Sequence, residues 1–345
     1  MPYAFFRDTV NKMNPNKHTW MIYHTNLCTE IQQNTSPSKF IEEKTVWEWM
    51  INIKYDSWDL VVCNLASINI AKVNTSNKIR EIMPIITRLL DNVITLNFYP
   101  VEEAKITSNK YRPIWIGYLW LAEFLAVNKI SYTSDEAKIV VEDLMVEFSQ
   151  QALLASIELS KERWSYPLFQ WSDWSKWILF WEDYNCPEKL RNDNTYTLTP
   201  FEQIVDLIKE HWLRFGYMFA PAPNTSTALV VGTTAALLPI YKKYYTETWW
   251  TGLNVTIAPN INENNVWYYT EYTNCDLWKV IDLISVVQKY IDQSISFEWQ
   301  INPAKTTPKD LYWYYFKAWK QWIKTVYYVR SQSLDVQDNC ISCSG

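Results

Sequence analysis

The chain has 345 residues, 37 acidic against 32 basic, with no long basic run; this suits one large domain or two ordinary ones and argues against wholesale nucleic-acid binding. Its start lacks the basic-then-apolar layout of a signal peptide, and the longest apolar stretch, Ala228 to Ile240, is too short and too interrupted to span a bilayer. A soluble, cytoplasmic protein with no membrane partner is the expectation.

In chain order, the first chemical motif is His24-Thr25-Asn26-Leu27-Cys28-Thr29-Glu30-Ile31. In an extended loop, positions i−2, i and i+2 point to one side, which would gather an amide, a thiol and a carboxylate base. A buried structural cysteine beside a surface glutamate is the plainer alternative. Leu60 to Cys63 reads as a short buried strand ending in a second cysteine, which on its own could be core. Ile79 to Phe98 places Ile82, Ile85, Ile86, Leu89, Leu90, Val93 and Ile94 on one helical face. Ser134 to Glu162 reads as a second long helix. Lys161 to Trp181 then carries five tryptophans in twenty-one residues.

Pro200 to Leu213 reads as a helix with proline in its first turn. Pro221-Ala222-Pro223-Asn224-Thr225-Ser226-Thr227-Ala228 follows, hydroxyl side chains opening a helix-like run. Such a helix start binds phosphate well, though an ordinary cap looks the same. Asp276 to Ser294 and Pro308 to Ile323 are further helices, and Thr325 to Val329, with adjacent Tyr327 and Tyr328, a second short strand. Ser331 to Gly345 is polar and unpatterned, a mobile tail beside a 1–330 unit. Its Cys340 and Cys343 have no second pair for zinc but suit thiol–disulfide exchange; no metal site is expected. Helices alternating with short apolar strands indicate an α/β architecture.

These segments together resemble the large (alpha) subunit of class I ribonucleotide reductase, in its C-terminal half. NLCTEI, VCNLASIN, LNFYPVEEA, RPIxIGYLxLAE, PNTSTA, KTVYYVR and the terminal CxxC occur in that family's order, from about Pro2 to Gly345. The resemblance implies part of a ten-stranded α/β barrel with the radical cysteine on an inner finger loop. It implies reduction of ribonucleoside diphosphates: Cys28 becomes a thiyl radical, Glu30 deprotonates the 3′ hydroxyl, and Asn26 holds the substrate hydroxyls. Cys63 matches one member of the reducing cysteine pair, and Cys340 and Cys343 match the tail pair that thioredoxin or glutaredoxin serves. Asn224, Thr225, Ser226 and Thr227 match the diphosphate segment. Tyr327 and Tyr328 match the phenols that relay a radical from the metal-containing small (beta) subunit. No cofactor is expected in this chain, and nucleotide effectors act elsewhere in the large subunit. A cobalamin-dependent class II reductase, needing no tyrosine relay, and a catalytically inactive fragment are the alternatives, with an aromatic-rich carbohydrate or single-strand binding module as a rival of another kind.

Two departures stand out. The chain is short for the family, as one piece of a split subunit or a truncated reading frame would be, with an N-terminal half as partner. And glycine occurs 5 times where average usage gives roughly 24, while tryptophan occurs 20 times. Trp115 and Trp120 occupy glycine positions of RPI-G-IGYL-G-LAE; Trp20, Trp58, Trp164, Trp171, Trp177 and Trp322 look similar, Trp47, Trp181 and Trp212 less so. Trp174, Trp267, Trp299 and Trp319 look like chosen tryptophans. A gene that uses UGA for glycine, translated as though UGA meant tryptophan, would produce this pattern.

Overall fold

The structure is a computed structural model and describes residues 2–47, 50–179, 201–249 and 252–331. Helix α1 (Pro2–Lys12) precedes a long irregular segment and a hairpin of β1 (Lys39–Trp47) and β2 (Met50–Asp56). A βαβ unit follows: β3 (Leu65–Asn69), α2 (Ser76–Leu96), α3 (Glu102–Tyr111) and β4 (Trp115–Leu119), with β3 and β4 parallel and Leu65 opposite Trp115. Then come α4 (Leu121–Val127), α5 (Asp135–Arg163), α6 (Phe201–His211) and α7 (Thr225–Val231). A second hairpin joins β5 (Tyr244–Trp249) to β6 (Gly252–Ile257). The last elements are α8 (Leu277–Gln288), β7 (Trp299–Ile301), α9 (Pro308–Lys320) and β8 (Val329–Ser331), with β7 and β8 parallel.

Chain segments between the strands extend the parallel array. Ile116 bridges Phe219, Ile114 and Ile116 donate to the Tyr217 and Met218 carbonyls at 3.0 and 2.9 Å, and Ser296 donates to the Pro221 carbonyl at 2.9 Å. Among the described residues the strands form four two-stranded sheets and no closed barrel. The expected α/β content is present.

Local chemistry sets the helix ends. Ser134 caps α5 by accepting from the Ala137 N–H at 3.1 Å, with Asp135 and Glu136 in its first turn and Lys161 and Arg163 in its last, a charge order that opposes the helix dipole. Thr307 and Asp310 form a reciprocal capping box on α9, with Pro308 just inside. Ser331 pairs with Ile301 in β8. Residues 332–345, including Cys340 and Cys343, lie outside the described residues, as do Trp181 and Pro200.

Three sequence expectations shift. The strand expected at Leu60 to Cys63 is irregular; β3 starts at Leu65, where Ala66 and Ser67 run alongside Ile116 and Gly117. The strand expected at Thr325 to Val329 is β8, starting at Val329. And α2 is rotated: it buries Ile79, Met83, Thr87, Leu90, Asp91 and Ile94, leaving Ile85, Leu89 and Val93 exposed. A buried ionic knot explains that rotation. Asp91 points inward and accepts from Arg112 Nε and Arg214 Nε at 2.9 Å each and from Arg163 Nη1 at 2.8 Å. One carboxylate thus ties α2 to the ends of α3, α5 and α6.

Burial pushes the Asp91 carboxyl up, but the Arg214 hydrogen bond and the Arg112 and Arg214 charges outweigh it, and the net shift is downward. A depressed folded value stabilises above the unfolded value of about 4 and is lost as pH falls below it. Asp91→Ala strands buried guanidinium charge and is expected to lower stability by about 3 kcal/mol or more. Urea unfolding measures that loss, and the wild type's own stability falls as pH drops below about 4.

Candidate active site

Residues 26–32 form a pinned turn. The Thr29 N–H donates to the Asn26 carbonyl at 3.1 Å, and Thr29 sits at φ 64. The expectation of an extended loop is therefore incorrect: a turn, with a left-handed residue between Cys28 and Glu30, brings the three side chains together. The turn is held from two distant segments. Thr325 Oγ1 donates to the Thr29 carbonyl at 2.9 Å, and Ser294 N donates to the Glu30 carbonyl at 2.9 Å. Gln293 Oε1 accepts from Gln32 N at 2.6 Å, and Asn26 Oδ1 from Ile31 N at 3.0 Å.

Cys28 Sγ lies 3.6 Å from Tyr327 Oη, and the Tyr327 ring stacks on Tyr328 with centroids 3.7 Å apart at 27°. The two phenols are fixed by backbone bonds on either side: Tyr327 N donates to the Phe297 carbonyl at 2.6 Å, and the Tyr328 carbonyl accepts from Trp299 N at 2.7 Å. Thiol and phenols therefore form one contiguous chain of redox-capable groups.

Glu30 is 1% exposed. Burial raises its carboxyl above the usual range, against hydrogen bonds from Asn26, its own backbone and Ser296, whose Oγ lies 2.8 Å from Glu30 Oε2. Desolvation also raises the Cys28 thiol, with the Tyr327 hydroxyl opposing and the Glu30 charge adding. Cys63 is exposed as a residue, yet neighbouring protein crowds its thiol; that desolvation, then the charges of Glu30 and Cys28, pushes it up to about 11. Both cysteines therefore hold their S–H proton at neutral pH. They are poor nucleophiles and poor metal ligands, and among the described residues no group of three His, Cys, Asp or Glu side chains could hold a metal.

The Asn224 to Thr227 segment meets β3 at Ser67. Asn224 is left-handed (φ 47), makes no side-chain cap on α7, and donates instead to Ser67 Oγ at 2.5 Å. Thr225, Ser226 and Thr227 stay exposed in the first turn of α7. Gly117 permits the close approach: a Cβ there would lie 3.2 Å from Ser67 Oγ and 3.3 Å from Pro221 Cα. Ser67, Ser294, Ser296 and Thr325 join the site without a sequence signal, since each acts through a contact distant in the chain. Cys275 sits elsewhere, packed against the main core.

With this geometry in place, comparison with known proteins is decisive for the family. Residues 1–329 match the ribonucleotide reductase barrel domain. The chain is 34% identical to the ribonucleoside-diphosphate reductase subunit alpha of Helicobacter pylori, over 99% of this chain and 48% of that protein. It is 33% identical to the Synechocystis subunit alpha over 100% of this chain and 43% of that protein, and 33% identical to the Treponema pallidum subunit alpha over 99% and 40%. The chain belongs to the ribonucleotide reductase large-subunit family and spans a little under half the length of these relatives. Among the described residues no helix is long and apolar enough to cross a membrane.

Proposed function

We propose that the chain carries the radical and reducing chemistry of a class I ribonucleoside-diphosphate reductase, working with the rest of the large subunit. One observation carries this reading: Cys28 Sγ stands 3.6 Å from a phenol that is itself stacked on a second phenol. In this reading Tyr328 and Tyr327 pass a hole from the small subunit's metal-derived radical to Cys28, which becomes a thiyl. Cys28 takes the 3′ hydrogen of the bound ribonucleoside diphosphate while Glu30, whose proton affinity burial raises, accepts the 3′ hydroxyl proton. Asn26 orients the substrate hydroxyls, and the 2′ hydroxyl leaves as water. Cys63 and a second cysteine supply two electrons and close to a disulfide; Cys340 and Cys343 re-reduce it and are recharged by thioredoxin or glutaredoxin. The diphosphate lies against Asn224 to Thr227. A barrel completed by the rest of the large subunit, with the Cys28 turn as its inner finger, fits the incomplete parallel array. Nucleotide effectors act on that remainder, and the protein works in the cytoplasm.

The tyrosine stack favours this class over the cobalamin-dependent one, in which it would have no role. A binding module requires tryptophans displayed on strands; among the residues whose side chains are described, the exposed tryptophans Trp58, Trp164, Trp171, Trp212, Trp267, Trp278, Trp313 and Trp322 all lie outside strands. The test is deoxynucleotide formation by the chain assembled with the remainder of the large subunit and a small subunit, with Cys28→Ala as the control. No product from the wild type sinks the reading in favour of an inactive fragment.

The tryptophan surplus belongs to the gene. Trp120, Trp164, Trp171, Trp177, Trp212 and Trp322 all have φ between 63 and 72°, and all six were among the glycine positions expected from sequence. Trp164 adds ψ 162, a region essentially reserved for glycine. Trp20, Trp58 and Trp115 have no such φ; Trp115 is a fully buried strand residue whose indole donates to the Val62 carbonyl at 2.9 Å. Trp174, Trp267, Trp299 and Trp319 are absent from the left-handed set. The pattern supports UGA read as glycine, and UGG codons at the six positions would contradict it.

A further inference from the structure

Ser296 bonds to both halves of the candidate site. Its Oγ lies 2.8 Å from Glu30 Oε2 and 2.8 Å from the Cys28 carbonyl oxygen. Among the described residues it is the one side chain bonded both to Glu30 and to the backbone of Cys28. A serine hydroxyl has one proton, so it serves one of these acceptors fully at any moment.

The residue is held rigidly while its hydroxyl is free to turn. Ser296 is 3% exposed between Ile295 (2%) and Phe297 (0%), and its N–H donates to the Pro221 carbonyl at 2.9 Å. That carbonyl opens the segment leading to Asn224. Two residues earlier, Ser294 bonds the Glu30 carbonyl through its N–H and Thr325 through its hydroxyl. Heavy atoms need not move for the proton to swing between the two acceptors, because both distances are already those of a good hydrogen bond.

We propose that Ser296 is a positioning residue: its hydroxyl holds the Glu30 carboxylate while that group is charged and turns to the Cys28 carbonyl when it is neutral, so that the cysteine's turn reads the state of the base. An ionised carboxylate accepts only, and a charge-assisted bond is the stronger choice, so the serine donates to Glu30. Once Glu30 is protonated, its own O–H donates to Ser296 Oγ, and the serine proton turns to Cys28 O. No proton leaves the serine; its direction changes. The proposal deepens the reading of Glu30 as the base and rests on it for its catalytic meaning. Its consequence is a coupling: proton uptake by Glu30 tightens the peptide group that carries the radical cysteine.

The experiment uses the full chain and needs no turnover. Cys28-Thr29 is the sole Cys-Thr pair in the sequence, so carbonyl-13C cysteine with 15N threonine lights one peptide group. Its 13C shift is followed against pH together with the Glu30 carboxyl. In the wild type the Cys28 carbonyl is expected to move with the Glu30 midpoint; in Ser296→Thr it does the same. In Ser296→Ala the carbonyl stays flat, and the Glu30 midpoint rises by about one unit, the size expected for losing one bond to a charged acceptor. Ser296→Cys, of similar volume and a weak donor, gives a reduced response and covers the case in which the alanine variant does not fold. A Cys28 carbonyl that ignores Glu30 in the wild type, or tracks it equally in Ser296→Ala, overturns the proposal. A wild-type response in a chain that, fully assembled, reduces no nucleotide supports the serine switch and overturns the reductase reading instead.

Discussion

Glycine at positions 120, 164, 171, 177, 212 and 322 together is expected to stabilise the chain by on the order of 5 kcal/mol. Each of the six tryptophans holds a positive φ, which costs a residue with a Cβ about 1–2 kcal/mol, more for the Trp164 geometry. Glycine removes that strain but surrenders about 0.5–1 kcal/mol in the unfolded chain, leaving a net gain near 1 kcal/mol per site. The indoles offset little of it. Trp164 and Trp171 are 84% and 74% exposed, and the indole N–H of buried Trp120 has no partner. Trp212 stacks on Phe169 at 5.5 Å and gains least. The control sits a few residues away. Trp174 is 1% exposed, has no positive φ, and donates to the Gly216 carbonyl at 3.1 Å; Trp174→Gly is expected to cost about 3–5 kcal/mol. Denaturant midpoints of the six-fold variant, Trp164→Gly and Trp174→Gly decide the matter. A Trp164→Gly chain less stable than the wild type would contradict the strain argument.

Tyr327→Phe is expected to reduce deoxynucleotide formation in the assembled enzyme by about three orders of magnitude or more, since losing a group that acts as a unit with its neighbours removes the whole pathway. The substitution removes the oxygen that faces Cys28 Sγ and keeps the ring stacked on Tyr328. Tyr328→Phe breaks the chain one step earlier with the same result. Neither should shift stability by more than about 1 kcal/mol, because the Tyr327 hydroxyl accepts from a weak thiol donor. Turnover retained in Tyr327→Phe would remove the phenols from the pathway and leave the class I assignment without support.

The candidate residues were more legible in the sequence than their placement. Asn26, Cys28 and Glu30 are close in the chain, so their meeting needed a local bend alone, although the bend is a turn at Thr29 and not an extended strand. Tyr327 and Tyr328 are adjacent, and their stacking follows from a short segment anchored at both ends. The rest depends on partners far apart in sequence. The rotation of α2 is set by Asp91 meeting guanidiniums at 112, 163 and 214, and no periodicity in residues 79–98 reveals that. An apolar face was visible; which of two apolar faces is buried was not. The β3 strand was displaced because Leu60 to Cys63 is the more hydrophobic run, whereas the paired run Leu65 to Asn69 includes the small Ala66 and Ser67, with Ser67 beside Gly117. The hairpin of β1 and β2 escaped notice although Ile51, Ile53 and Tyr55 alternate with Asn52, Lys54 and Asp56 in β2; β1 does not alternate, and Phe40, Ile51, Ile53 and Tyr55 are all exposed on the hairpin. Ser296 gave no signal, being an ordinary serine until the fold sets it between Cys28 and Glu30.

Cys28 is the centre of the proposed chemistry, and the most direct test is product analysis. The chain, assembled with the remainder of a large subunit, a radical-bearing small subunit and a dithiol reductant, is given a ribonucleoside diphosphate, and the 2′-deoxy product is quantified. Product from the wild type and none above background from a folded, substrate-binding Cys28→Ala is the predicted result. Product formed at a comparable rate by Cys28→Ala would contradict it.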